Sequence, residues 1–139
     1  AQEFVTAEGG GGAPLLTLVE GELAAFPGRV RIDGEPLIVG NTFAQTFTLV
    51  VHELATNAAK YGALSTPTGH VDLRWSVEEG PDGPEFHFTW REKGGPPVQP
   101  PRSAGFGRKI IGLLGQPILQ FVPEGLRYSL TVPMADLAP

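Results

Sequence analysis

The sequence predicts an α+β fold, a two-layer α/β sandwich in which a mixed β-sheet carries helices on one face. Some segments of the 139 residues space their apolar residues helically, whereas others alternate apolar and polar residues. Turn sequences rich in Gly, Pro and Asp separate these segments. The resulting order is helix, two short strands, helix, two strands, loop, helix and two strands, which is typical of such a sandwich.

Helical spacing predicts three helices. They cover residues 15–26, 41–61 and 106–114. The long second helix is expected to begin at a cap on Asn41 or Thr42, and Gly62 is expected to stop it. Its predicted core face consists of Phe43, Phe47, Val50, Val51, Leu54, Ala58 and Tyr61.

Alternating apolar residues predict the strands. Between residues 30 and 39, two short strands are expected to form a hairpin around Asp33-Gly34, a dipeptide that favours tight turns. The other predicted strands cover residues 69–79, 85–92, 118–122 and 126–132. The glycine-rich residues 1–12 are expected to be a flexible lead-in to one folded domain over residues 13–135.

Composition excludes several classes of function. The net charge of −5 argues against a nucleic-acid surface, since such surfaces rely on Lys and Arg. The lack of cysteine excludes disulfide scaffolds, thiolate zinc sites and thiol nucleophiles. No apolar run has the length of a membrane span and the start lacks a signal-peptide layout, so we expect a cytoplasmic domain without membrane contact of its own. In an acidic chain, any phosphate site must be built locally from a metal ion, nearby cations and backbone N–H groups.

Three polar side chains form a stripe along the edge of the long helix's core face. At about 100° per residue, Glu53, Asn57 and Lys60 share an arc roughly 60° wide. One interpretation is a solvated face, in which Asn57 is incidental. The other is a magnesium–phosphate site: Asn57 offers a neutral oxygen to Mg²⁺, Lys60 faces the phosphates, and Glu53 holds a water or acts as a base. The helix alone leaves both open.

The amino-acid sequence around this stripe also resembles a known family. Residues 52–65, HELATNAAKYGALS, resemble the N box of the Bergerat-fold ATPases, which include gyrase, MutL and the histidine kinases. The stretch is most similar to the HWE histidine kinases, and Trp90-Arg91-Glu92 matches their W-x-E motif. The resemblance runs over residues 15–133. It implies a catalytic domain that binds ATP and Mg²⁺, with Asn57 as the metal ligand, Glu53 as the catalytic residue, and Lys60 and Tyr61 as ATP contacts.

The same resemblance assigns the adenine end of the ATP site. Glu92 takes the place of the family's acid that accepts a hydrogen bond from the adenine amino group. Gly94 and Gly95 follow where a purine ring needs close backbone approach. Pro96 departs from the D-x-G-x-G of the wider family, which leaves this wall of the pocket open. Trp90 is interpreted as a plain core residue.

The phosphate end is assigned to a second glycine box, Gly105-Phe106-Gly107, at the start of the third helix. The free N–H groups of its first turn and Arg108 are expected to face the phosphates. The alternative is that Arg108 and Lys109 are solvated charges on a packing helix. A short lid rich in proline is expected between Gly95 and Gly105, with Arg102 within reach of a phosphate.

The resemblance also implies partners. In histidine kinases the phosphoacceptor His is carried on a separate dimerisation domain, which nothing in this chain resembles, and a response regulator acts downstream. His52 is interpreted as part of the nucleotide-side helix and not as the acceptor. Two alternatives stay open: a relative of the same fold that has lost ATP and serves phosphotransfer or as a scaffold, and a Bergerat-fold ATP hydrolase that uses Glu53 to activate water.

Overall fold

The structure, a computed structural model, describes residues 12–96 and 114–139. Its two helices are α1 (Leu15–Glu22) and α2 (Asn41–Tyr61). Its strands are β1 (Ala13–Pro14), β2 (Val30–Gly34), β3 (Ile38–Val39), β4 (His70–Gly80), β5 (Gly83–Lys93), β6 (Gln116–Val122) and β7 (Gly125–Pro133). Short 3₁₀ turns follow α2 at Ala63–Ser65 and β7 at Met134–Leu137. Nearly all of the predicted helix over residues 106–114 and of the predicted lead-in lie outside the described residues.

The main sheet is mixed, with five strands in the order β2-β4-β5-β7-β6. The β2–β4 pair is parallel and the other three pairs are antiparallel. Helices α1 and α2 pack on one face of this sheet, so the predicted α+β sandwich is confirmed. The four long strands lie within a few residues of their predicted bounds, because period-two alternation marks half-buried strands clearly.

An aromatic cluster joins α2 to the sheet. Phe47 of α2 meets Phe88 of β5 edge to face with ring centroids 5.0 Å apart, and Phe43 stacks on Phe47 at 5.2 Å. Phe47 and Phe88 are fully buried. Such contacts add to simple area burial. They fix the height and rotation of α2 over β5, which is the relation on which a site between the two depends.

The expected hairpin around Asp33-Gly34 is wrong. Strand β2 pairs in parallel with β4, while β3 pairs with β1. A Cβ on Gly34 would lie 2.1 Å from the Trp75 ring, and the Trp75 indole N–H donates to the Glu35 carbonyl at 2.8 Å. The glycine therefore permits close packing on a tryptophan and does not serve a tight turn.

Three helix predictions also need correction. The first helix ends at Glu22 and not at residue 26, because Pro27 disfavours helical backbone at Phe26. Gly40, not Asn41 or Thr42, caps α2, and its N–H bonds to the Leu137 carbonyl at 2.7 Å. A tertiary contact thus sets the start of this helix.

Tyr61 does not lie on the core face, since its side chain is 62% exposed. The chain leaves the helix at Gly62, and the next two residues, Ala63 and Leu64, are buried instead. Helix α2 does end at Tyr61 as predicted.

The opposite face of the sheet carries polar side chains. An open cavity of about 500 Å³ lies there, among outward-facing residues of β2, β4 and β5 that include Arg74 and Arg91. None of the predicted site residues lines it. Among the described residues, neither helix combines the length and apolar character that crossing a bilayer requires.

Candidate functional site

A buried carboxylate lies at the end of the central strand β5. Strand alternation places Glu92 on the inner face with Phe88 and Trp90, and only 3% of Glu92 is exposed. Its Oε2 accepts from the Trp90 indole N–H at 2.9 Å, and its Oε1 accepts from the Ala63 backbone N–H at 3.1 Å. An ionised carboxylate has further lone pairs beyond these two bonds. Glu92 is therefore held in place and still able to accept from a ligand.

Burial controls the ionisation of this group. Desolvation raises the pKa of Glu92 above its ordinary value of 4.5, while the hydrogen bonds from Trp90 and Ala63 lower it by less. Both donors favour the charged form, because an ionised carboxylate is the better acceptor. A buried acid with a perturbed pKa is a frequent mark of a functional site.

Glycines bring three backbone segments close around Glu92. A Cβ on Gly62 would lie 2.1 Å from Glu92 Oε1, and a Cβ on Gly95 would lie 2.6 Å from the Ala63 Cα. Gly94 has a φ of +77°, and its backbone approaches Gly69 closely. The end of α2, the turn after it and the end of β5 thus meet with no side chain between them, which brings their backbones close together around the carboxylate.

The stripe on α2 is most buried at its middle residue and exposed at its end. Glu53 is half-buried, Asn57 is 6% exposed, and Lys60 and Tyr61 are exposed. At about 1.5 Å rise per residue, Glu53 and Lys60 are roughly 10 Å apart along the axis. Lys60 lies two residues before Gly62 and so belongs to the same end of α2 as the Glu92 cluster. Asn57 has a polar side chain and is nevertheless buried. Buried polar side chains are normally hydrogen-bonded, so Asn57 is not an incidental residue on a solvated face.

The residues predicted to contact the phosphates are not among those that the structure describes. Gly105, Phe106, Gly107 and Arg108, together with Arg102 of the predicted lid, lie outside the described residues. Over residues 12–96 and 114–139, no group of three or more His, Asp or Glu side chains is placed to hold a metal ion. A magnesium ion carried by phosphates needs few protein ligands, and one amide oxygen such as that of Asn57 fits this chemistry.

Sequence reasoning missed two partners of Glu92. Trp90 was assigned to the core, and it is fully buried, but its indole N–H also holds the carboxylate. The signal was present, because alternation puts residues 90 and 92 on the same face of a strand. Ala63 contributes through its backbone N–H, which no residue type reveals.

Comparisons with known proteins find similarity to histidine kinases. The chain is 35% identical, over an alignment of 150 residues, to a blue-light-activated histidine kinase of Brucella anthropi, covering 100% of this chain and 30% of that protein. The fold matches the blue-light-activated histidine kinase EL346 of Erythrobacter litoralis with a TM-score of 0.69 and 20% identity, over 87% of this chain and 41% of that one. It also matches the catalytic domain of the histidine kinase ThkA with a TM-score of 0.64 and 14% identity, over 86% and 91% of the two chains. No protein-family model matches the chain.

The fold and the similarity together define a histidine kinase catalytic domain. The chain belongs to the HWE-type histidine kinases, as the N box and the W-x-E motif indicated. It spans about a third of the length of the curated relatives that it matches.

Proposed function

We propose that the chain binds ATP with Mg²⁺ and donates the γ-phosphoryl group to a histidine on a separate dimerisation domain, for onward transfer to a response regulator. The observation that carries this proposal is the buried Glu92 carboxylate, held by two donors beside glycine-lined backbone at the end of α2. A fixed acceptor beside closely spaced backbone suits the amino edge of a purine ring. We place the reaction in the cytoplasm, where ATP is available.

In this proposal each predicted residue has a chemical task. Glu92 accepts from the adenine amino group, whereas guanine would present a carbonyl oxygen to the same carboxylate at a cost of about 1–3 kcal/mol. Gly94 and Gly95 allow the ring to approach the backbone. Asn57 holds the metal ion through its amide oxygen, and Lys60 and Tyr61 contact the ATP from the exposed end of α2.

The remaining residues act on the phosphates and the acceptor. Mg²⁺, when bound, offsets the charge that develops on the transferring phosphoryl group. Glu53 orients the incoming nucleophile or takes its proton. Gly105, Phe106, Gly107 and Arg108 are proposed to contact the phosphates from the start of a helix.

A titration with a fluorescent ATP analogue, with and without Mg²⁺, tests the binding step. We expect magnesium-dependent binding that Asn57→Ala weakens by about tenfold or more, roughly 1.4 kcal/mol. Gln45→Ala is the matched control, because Gln45 is an exposed amide on the same helix. Equal binding by wild type and Asn57→Ala would contradict the magnesium assignment.

A second experiment tests the transfer step. The chain is mixed with a histidine-kinase dimerisation domain and radiolabelled ATP, and the phosphate on the acceptor is tested for acid lability. We expect an acid-labile phosphoprotein that Glu53→Gln reduces strongly. Steady phosphate release by the chain alone would favour the hydrolase alternative, and a lack of ATP binding would favour the ATP-free scaffold.

A further inference from the structure

An arginine outside the predicted site forms hydrogen bonds to the loop that follows α2. The Arg29 guanidinium donates from Nε to the Gly69 carbonyl at 2.8 Å and from Nη2 to the Ala63 carbonyl at 3.3 Å. Nη2 also donates to the Thr66 carbonyl. Arg29 is half-buried, and within the described residues no carboxylate forms an ion pair with it. Its hydrogen-bonding capacity is directed at three carbonyls of one loop.

This loop, residues 62–69, also touches the nucleobase end of the candidate site. The Ala63 N–H donates to Glu92 Oε1 at 3.1 Å, so Arg29 and Glu92 bind opposite sides of the same residue. Thr66 donates through Oγ1 to the Gly94 carbonyl at 3.2 Å. The loop therefore connects Arg29 to the two segments that surround the carboxylate.

The geometry suits a guanidinium and not an ammonium. Arg29 reaches the loop across 34 to 40 residues of sequence, with donors on two different nitrogens of one rigid plane. A lysine carries its donors on one nitrogen at the end of a flexible stem and cannot reproduce this fork. The loss of the fork removes the guanidinium donors from the Gly69, Thr66 and Ala63 carbonyls, of which Ala63 keeps a contact from Thr66 Oγ1 at 3.4 Å, and the loop must move to find water.

We propose that Arg29 is a positioning residue for nucleobase recognition: by fixing the carbonyls of loop 62–69, it keeps the Ala63 N–H aimed at Glu92 Oε1. Its effect on ligand binding rests on the proposed function, whereas its effect on the loop does not. Arg29 makes no contact with the nucleotide in this proposal. It acts on the base through the orientation of Glu92.

The test compares Arg29→Met and Arg29→Lys with Arg31→Met, a control on the neighbouring exposed strand position. Circular dichroism and thermal unfolding establish that each variant folds, and Arg29→Lys serves if Arg29→Met does not. Hydrogen exchange then reports the Ala63 and Gly69 amides. Fluorescent ATP and GTP analogues report affinity and base discrimination.

We expect exchange of the Ala63 amide to rise about tenfold or more in both Arg29 variants and to stay unchanged in Arg31→Met. ATP affinity should fall about tenfold while GTP affinity changes little, so that the ratio of the two falls. General damage to the fold would lower both affinities together. In a Glu92→Gln background, Arg29→Met should cause little further loss, because the two residues act in series.

The outcomes separate this inference from the proposed function. If wild type binds ATP and the Arg29 variants keep both its base discrimination and its slow exchange, the inference is wrong. If wild type binds no nucleotide, the proposed function fails, and exchange at Ala63 still decides whether Arg29 holds the loop. Full additivity of the Arg29 and Glu92 substitutions would also overturn the inference.

Discussion

Trp90 belongs both to the core and to the candidate site. Its ring is fully buried, which is the ordinary role of a strand tryptophan. Its indole N–H donates to Glu92 Oε2 and so satisfies half of a carboxylate that would otherwise be costly to bury. The W and the E of the W-x-E motif are thus linked by a direct hydrogen bond.

Replacement of Trp90 by Phe is expected to keep most of the packing and remove the donor. ATP affinity should fall about three- to tenfold, and the free energy of unfolding should fall by about 1–3 kcal/mol, because an acceptor is left unpaired. Isothermal titration and urea denaturation measure the two effects. Trp75→Phe is the matched control, since the Trp75 indole N–H bonds to the Glu35 carbonyl away from the site. A similar loss of ATP affinity in both variants would contradict a specific role for Trp90.

Glu92 predicts a pH dependence of stability. Burial raises its pKa in the folded state above the ordinary value of 4.5. The folded protein therefore holds this proton more tightly than the unfolded chain does. The resulting stabilisation is fully present below pH 4.5 and is lost as the pH rises through the raised pKa.

Comparison with Glu92→Gln isolates this contribution. The free energy of unfolding of the variant, relative to wild type, should increase as the pH rises from 4.5. ATP affinity of wild type should improve over the same range, since the ionised carboxylate is the acceptor, and the variant should lack this contribution. A constant stability difference between the two proteins across the range would show that the carboxyl does not titrate as described.

At the scale of elements, the Glu92 carboxylate determines which residue can follow the end of α2. Gly62 has a φ of −118°, which any residue can adopt, so conformational freedom does not explain the glycine. A Cβ there would lie 2.1 Å from Glu92 Oε1. The glycine is required by the space that the carboxylate occupies.

A methyl group at this point should therefore disturb both fold and site. Gly62→Ala is expected to lower the free energy of unfolding by about 1–3 kcal/mol and to weaken ATP binding, because the carboxylate or the turn must shift. Gly21→Ala in α1 is the control, since nothing lies within 4 Å of its added Cβ, and it should stabilise by about 0.5–1 kcal/mol. Thermal unfolding of the two variants checks the opposite signs. Equal stability of Gly62→Ala and wild type would contradict the close contact.

The sequence was a good guide where local periodicity and tertiary packing agree. Helix α2 and strands β4 and β5 are long and regular, and their patterns predicted them within a few residues. The prediction of a hairpin at Asp33-Gly34 was wrong because Gly34 is needed for close packing on Trp75, which lies more than 40 residues away along the chain. Within the candidate site, Glu92 was identified from its motif. Its backbone partner at Ala63 was not, since a main-chain donor leaves no trace in residue type.

At the scale of the whole molecule, the sheet has one apolar and one polar face. On β5, Phe88 is fully buried against α2, while its neighbour Thr89 faces the polar side. The two side-chain hydrogen bonds of Glu92, from Trp90 and Ala63, lie on the helix side. Stability and the candidate site therefore depend on the same face.

This asymmetry predicts very different costs for adjacent substitutions. Phe88→Ala should lower the free energy of unfolding by about 3–5 kcal/mol, since it opens a cavity beside Phe47. Thr89→Ala should cost about 1 kcal/mol or less, the range of strand propensity alone. Urea denaturation of both variants measures the difference. Comparable costs would contradict the assignment of faces.

The parallel pairing of β2 with β4 has a consequence for how the chain is made. β4 and β5 are joined by a tight turn and can pair as soon as both have left the ribosome. β2 is synthesised before them, yet it lacks a partner in the main sheet until the whole of α2 and then β4 have followed. Arg29 immediately precedes β2, so its hydrogen bonds to the loop after α2 are expected to form only after that loop has been synthesised. During translation, β2 can therefore join the main sheet only after β4 has been synthesised.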